Sequence, residues 1–219
     1  MIDAPAAKGS LVLCSASTGI AALLLPGGLT AHSTFKIPFG DNLVSGSVCN
    51  VNSESERGQV LRRADLIIWD EIPMSNKLAP EALDLTLRDL RRCDKPFGGA
   101  TILFGGDWRQ VGPVVTFGSP ADVIGSSLIS SHLWTKVQRF HLVQSMRDRL
   151  DKPYSRTVRA VGEGLIPPLT LPDESIHLID FVYPDIFTAA PADFADRGIL
   201  SPTNASTDEI NDHILDLLP

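Results

Sequence analysis

The chain has 219 residues, with 19 Lys and Arg against 26 Asp and Glu, a net charge of −7 and a mean hydropathy of +0.09. That size suffices for one large domain, or one and a part, and the acidic balance excludes a broad basic surface, so nucleic-acid affinity has to come from a local groove. No apolar run is long enough to cross a membrane, Met1-Ile2-Asp3-Ala4-Pro5 lacks the basic head and apolar core of a signal peptide, and Cys14, Cys49 and Cys93 are odd in number and widely spaced, which fits neither a disulfide framework nor a zinc site.

A strand is expected from Leu11 to Ala16, a helix from Thr18 to Leu25, and a short helix near Ala31. A Ser-, Asn- and Gly-rich stretch then runs from Asp41 to Ser55, followed by a helix from Arg57 to Ala64. Next comes the most informative hexapeptide, Leu66-Ile67-Ile68-Trp69-Asp70-Glu71. An apolar run that stops on two carboxylates reads as a buried strand delivering acids to its carboxyl end, the edge where open α/β sheets bind ligands. Such a pair suits nucleotide hydrolysis, one carboxylate holding magnesium and the other orienting or deprotonating a water. On these residues alone, a core strand followed by a solvated acidic turn remains the alternative.

Pro80 opens a helix to about Arg92 with Leu83, Leu87 and Leu90 on one face, on which Asp84 and Arg88 can pair. A second strand, Ala100 to Phe104, leads into Gly105-Gly106-Asp107-Trp108-Arg109-Gln110. There the glycines let backbone approach a bound group, and Asp107 and Gln110 can reach a shared site. A strand near Val137 to Leu142, a helix from about Tyr154 to Glu163 and a Pro-rich connection around Pro167 to Pro172 follow. Strand Ile199-Leu200 and a helix from Asn204 to Leu218 close the chain, the helix with Ile210, Ile214, Leu217 and Leu218 on one face and a Ser206/Glu209 capping box. Alternating strands and helices argue for an α/β fold with a parallel sheet.

Several segments together resemble the Pif-one family of superfamily-one DNA helicases, RecD/Pif type, including Helitron-type helicases. Ala16 to Leu25 and Thr30-Ala31-His32-Ser33-Thr34-Phe35-Lys36-Ile37-Pro38 resemble motif Ia, and Ala64 to Met74 motif II. Phe97 to Pro113 resembles motif III, and Gln144-Ser145-Met146-Arg147 motif IV. The resemblance implies a P-loop NTPase-like (RecA-like) parallel sheet with flanking helices. It also implies a first motor domain over residues 1–150, a connecting segment over 151–197 and the start of a second motor domain over 198–219. No G-x-x-x-x-G-K-[ST] loop occurs in the 219 residues, nor do motifs V and VI, so the chain as given is expected to be incomplete at its amino end and inactive alone.

The implied activity is that of an ATP-dependent DNA helicase moving 5′ to 3′ on single-stranded DNA and unwinding duplex. Its expected settings are DNA repair, recombination or telomere and genome maintenance. Asp70 is the expected magnesium ligand and Glu71 the general base. Gln110 resembles the motif III glutamine that senses the γ-phosphate, and an amide can both accept from water and donate to a phosphate oxygen. Asp107 joins Gln110 and Arg147 at the ATP, and Arg147 sits where the family places an arginine that reaches the γ-phosphate. His32, Ser33, Thr34, Phe35 and Lys36 combine donors, an aromatic ring and a positive charge suited to a single strand. Their alternative is a helix cap at Ser33 or Thr34 and a core Phe35. Expected partners are single-stranded DNA and duplex junctions, with no membrane. The expected setting is intracellular, in the nucleus with the mitochondrion as the alternative. The rival function is a non-catalytic helicase remnant, truncated or transposon-derived, that binds nucleic acid or nothing.

Overall fold

The run Leu66-Ile67-Ile68-Trp69-Asp70 is made of side chains that favour extended backbone. In the computed structural model it forms strand β3 (Leu66–Asp70), an inner strand of a four-stranded parallel sheet. The structure describes residues 9–143, 145–147, 150–165, 175–188, 194, 196–201 and 204–217. Strands β1 (Val12–Ala16) and β4 (Thr101–Phe104) flank β3, and the short β2 (Leu29–Thr30) lies outside β1. The order is β2-β1-β3-β4, with every neighbouring pair parallel, as the alternating pattern predicts.

Register aligns Leu13 with Ile67 and Ser15 with Trp69 across β1 and β3, and Ile67 with Ile102 and Trp69 with Phe104 across β3 and β4. These side chains therefore share one sheet face. The crossovers between parallel strands are helical: α1 (Gly19–Leu23) and α2 (Ala31–Phe35) follow β1 and β2, α3 (Glu56–Arg63) precedes β3, and α4 (Leu78–Arg91) follows it. Ala79, Ala82, Leu83, Leu87 and Leu90 form the buried stripe of α4 and join Ile67, Trp69, Phe35 and Leu61 in one core cluster. The stripe contains the three leucines expected there. Helix α4 begins at Leu78 rather than at Pro80, because the Asn76 side chain accepts the Leu78 N–H at 3.0 Å. Pro80 then falls in the first turn, where a missing N–H leaves no bond unmade.

Asp84 and Arg88 pair as expected, at 2.9 Å, with the Asp84 side chain only 1% exposed. The same carboxylate accepts the backbone N–H of Phe97 at 2.5 Å, which ties α4 to the turn entering β4. Phe97 has a positive φ of 53°, and its ring meets Phe104 edge-on at 6.0 Å. Arg62 donates to the Leu90 carbonyl at 3.0 Å and Arg91 to that of Ala64 at 2.8 Å, so the last turns of α3 and α4 are stapled together.

Beyond β4 the structure departs from two strand expectations. Val137 to Leu142 is described and carries no strand, with Phe140, Leu142 and Val143 exposed. Its apolar spacing suits an extended segment, but a strand also requires a neighbour to complete its hydrogen bonds. Ile199-Leu200 likewise forms no strand, and Leu200 is exposed. Helices α5 (Pro120–Ser126) and α6 (Lys152–Gly162) follow β4; α5 carries a capping box between Ser119 and Asp122, and Asp151 caps α6 by accepting from Tyr154 N at 3.0 Å.

The chain divides into two compact units, Met1–Leu165 and Ile166–Pro219. In the second, α7 (Ser175–Val182) contributes buried Ile179, and Ile186 is buried after it. Arg197 pairs with Asp185 and lies 5.8 Å from the ring centre of Phe194. Helix α8 (Asn204–Leu217) turns Ile210, Ile214 and Leu217 to its less exposed side, as expected for the residues described. Ser206 lies inside its first turn rather than at its cap, because the helix begins at Asn204. The Pro167 to Pro172 connection, Leu218 and Gln144 lie outside the described residues. No described helix is long and apolar enough to cross a membrane.

Asp84 serves two partners from a buried position, and removing it strands an N–H and a guanidinium together. Asp84→Ala is expected to lower unfolding stability by about 3 kcal/mol, seen as a lower urea midpoint at unchanged m-value. Asp84→Asn, which keeps an acceptor oxygen, should cost less.

Candidate functional site

The carboxyl edge of the sheet is assembled by backbone hydrogen bonds that extend past the strand ends. Ser17 N donates to the Asp70 carbonyl at 3.0 Å, Gly105 N to that of Trp69 at 2.9 Å, and Ile72 N to that of Gly105 at 3.0 Å. The chain segments leaving β1, β3 and β4 are thereby held side by side. Asp70 is half-buried, and its Oδ1 accepts the Glu71 N–H at 2.9 Å. Glu71, also half-buried, has φ 53° and ψ 39°, a left-handed conformation uncommon for a residue with a side chain and costing on the order of 1 kcal/mol or more. The turn after β4 is shaped to this neighbour. A Cβ on Gly105 would lie 2.7 Å from Asp70 Oδ1, and one on Gly106, whose φ is 152°, would lie 2.2 Å from Pro73 Cδ. Both positions exclude a side chain.

A hydroxyl pair absent from the expected site supports this edge. Trp69 is fully buried, and its indole N–H donates to Ser17 Oγ at 3.1 Å, while Ser17 Oγ lies 2.9 Å from Ser75 Oγ. One serine thus binds the residue before Asp70 by its hydroxyl and Asp70 itself by its amide. The signal in the sequence was the Trp: an indole in an apolar strand needs an acceptor for its N–H. Nothing in the sequence says which residue supplies it.

Asp70 can hold a divalent cation, since its Oδ2 accepts no hydrogen bond among the described residues and one carboxylate completed by waters and phosphates is an ordinary magnesium site. No cluster of three or more His, Cys, Asp or Glu side chains able to cage a metal occurs among the described residues. Asp107, half-buried, and Gln110, exposed, lie on the turn after β4, and Gln110 N donates to the Asp107 carbonyl at 3.1 Å. Asp107 Oδ1 accepts from both the N and the Nε of Arg109, each at 3.0 Å. These bonds, the backbone one first, hold its carboxyl below the ordinary range. Arg109 also faces Glu163, the C-terminal cap of α6, at 3.7 Å. No hydrogen bond joins Asp107 or Gln110 to Asp70 or Glu71 among the described residues. Arg147 is exposed and has no ion pair among them.

In the segment expected to meet DNA, the structure separates surface from core. Thr30 caps α2: its Oγ1 accepts Ser33 N at 3.3 Å, and its carbonyl accepts the Thr34 hydroxyl at 3.0 Å. The cap is therefore neither Ser33 nor Thr34. Phe35 is fully buried, with its ring centre 5.5 Å from that of Trp69, which corrects its placement at the DNA. Its ring completes the core under β3 and is closed to a base. Ser33 and Lys36 are exposed, and Lys36 ends the helix at φ 56°. His32 is half-buried, and burial lowers its pKa from the ordinary histidine value. Arg57 of α3 donates to the Ser33 carbonyl and, at 2.8 Å, to the Thr34 carbonyl, fixing the helix end from beneath.

A family model described as PIF1-like helicase matches residues 1–166. Over 103 residues the chain is 34% identical to the ATP-dependent DNA helicase Pif1 of Psychrobacter sp. (strain PRwf-1), covering 47% of this chain and 16% of that protein. It is 32% identical over 103 residues to the ATP-dependent DNA helicase RRM3 of Saccharomyces cerevisiae, covering 47% and 14%. Among solved structures, Pif1 helicase from Candida albicans superposes with a TM-score of 0.70 at 23% identity over 100% of this chain and 47% of that one. Pif1 helicase from Bacteroides in complex with ADP-AlF3 and ssDNA does so at 0.68, with 23% identity over 94% and 47%. The chain thus spans less than a fifth of the length of these two sequence relatives and about half of the two solved chains. The likeness establishes the RecA-like fold.

The turn after β4 has a pH signature. A carboxyl whose pKa is depressed by folding contributes stability above the ordinary value of about 3.9 and loses it as pH falls through the lowered one. Asp107 should therefore titrate below the ordinary range in a carboxyl-carbon NMR experiment. In Arg109→Ala its midpoint should rise only part of the way, because the backbone N–H remains. An ordinary midpoint in both proteins would show the contact to be absent.

Proposed function

The chain belongs to the PIF1-like helicase family, and on that premise we propose that it is motor-domain sequence of an ATP-dependent DNA helicase that tracks 5′ to 3′ on single-stranded DNA and opens duplex at junctions. DNA repair and recombination are the settings such an activity serves. The observation that carries the reading is the Asp70-Glu71 pair at the carboxyl end of β3, locked to β1 by Ser17 and to the turn after β4 by Gly105.

Each side chain then has a task matched to its chemistry. Asp70 holds magnesium, which when bound neutralises charge on the phosphates of ATP. Glu71 orients the attacking water and accepts its proton, and the local backbone fixes the departure of its side chain from the strand. Gln110 donates to a phosphate oxygen or accepts from the water. Asp107 fixes the turn that carries Gln110. Arg147 spreads negative charge developing on the γ-phosphate, a duty for which a planar guanidinium is suited. The exposed Lys36 meets a DNA phosphate, with Ser33 and His32 beside it as hydrogen-bonding groups. Phe35 takes no part in contact with DNA.

The test changes Glu71 to Gln in a protein that joins this sequence to a G-x-x-x-x-G-K-[ST] loop and a second motor domain. Glutamine keeps the shape and cannot take the proton, so magnesium-ATP should still bind while DNA-stimulated hydrolysis falls about 10²-fold or more and unwinding falls with it. Turnover near that of the parent protein would refute the assignment. In the same protein Lys36→Ala should leave hydrolysis at saturating DNA intact, weaken single-strand binding, and reduce the logarithmic salt slope by about 0.7.

A further inference from the structure

With Phe35 in the core, the single-strand site lacks the aromatic face that base stacking requires, and a second ring lies four residues further on. Phe39 is 69% exposed. Its ring lies on the imidazole of His32 with centroids 4.5 Å apart and planes only 22° from parallel. One face of the phenyl ring is thus backed by protein, and most of the ring remains open to solvent.

The backbone holds this arrangement. Phe39 is extended at φ −109° and ψ 152°, its carbonyl accepts the Asn42 N–H at 3.2 Å, and Gly40 turns the chain away at φ 56°. Ile37 is buried, and Pro38 restricts the link between that anchor and Phe39. His32 is itself fixed on α2, whose end is clamped by Arg57. Exposed Lys36 and Ser33 lie in the same short segment. A parallel, pre-supported ring beside a cation is the arrangement on which bases of a single strand stack, and stacking of this kind tolerates any sequence because every base has a π-face.

We propose that Phe39, backed by His32, is the base-stacking platform of the single-strand site. The proposal rests on the DNA-binding reading above and assigns the base contact to a residue outside the stretch His32 to Lys36. Lowered by burial, the His32 pKa favours a neutral ring under the platform near neutral pH. The phosphate contact therefore belongs to Lys36 and the base contact to Phe39.

The experiment measures binding of the full chain to a short fluorescent oligodeoxythymidine and to the same backbone made of abasic nucleotides. The chain should prefer the base-bearing strand about 10-fold, the scale of one stacked base. Phe39→Ala should abolish that preference by weakening the base-bearing strand about 10-fold while leaving the abasic strand unchanged. Phe39→Trp should restore the preference, and its added indole fluorescence should be quenched by the base-bearing strand and not by the abasic one. Equal binding of the two strands by the parent chain, or a Phe39→Ala variant that keeps the preference or weakens both strands alike, overturns the platform and leaves the DNA reading standing. Failure of the parent chain to bind either strand overturns both.

Discussion

Trp69 is enclosed by Phe35 and Phe104, whose ring centres lie 5.5 and 6.3 Å from its own, and its one polar atom donates to Ser17 Oγ at 3.1 Å. An indole fixed on its apolar and polar sides leaves the next residue, Asp70, little freedom in position. Burying so large a ring is also a major source of cohesion, since truncating a core Trp typically costs about 3–5 kcal/mol. The same contact therefore stabilises the sheet and aims its carboxyl edge. Placing the ring on the face covered by α4 puts the Asp70 side chain on the other face by the two-residue alternation of a strand.

Chemistry at that edge depends on close approach as much as on charge. Glu71 leaves the strand in a left-handed turn, and the adjacent Gly105 and Gly106 have no room for a Cβ. The two turns are complementary surfaces, and neither shape is explained without the other. Backbone strain at a candidate general base is the kind of feature a fold retains where geometry matters more than local stability. The segment proposed to meet DNA is built by the same division of labour, with Phe35 anchoring it in the core while Lys36 and Phe39 face outward.

Much of this was legible in the sequence because the periodicities were strong. The apolar run to Asp70, the leucine stripe of α4 and the Asp84–Arg88 pair depend on local spacing, and the structure has all of them. Phe35 illustrates the limit. A ring in a five-residue helix can face either way, and only the position of Trp69 decides it. Ser17 and Ser75 are 58 positions apart in sequence, so no local pattern could pair them. Val137 to Leu142 has the composition of a strand and finds no partner among the described residues, since strand formation is settled by a neighbour rather than by propensity. Asp107 was expected at the nucleotide; its Oδ1 accepts from Arg109 two residues on, a contact that the spacing of acid and amide did not mark.

The central claim is that the carboxyl end of β3 is fixed from both sides, by Ser17 and by Gly105, so that Asp70 and Glu71 are presented in one orientation. Native-state amide exchange tests it directly. The amides of Ser17, Gly105 and Ile72 donate to Asp70, Trp69 and Gly105 at 3.0, 2.9 and 3.0 Å. They should therefore exchange as slowly as amides inside β1 and β3, opening only with the sheet as a whole. Exchange at these three amides as rapid as in the exposed turn around Gly46, with the strands still protected, would show that the edge is loose and that the carboxylate pair is not held by its neighbours.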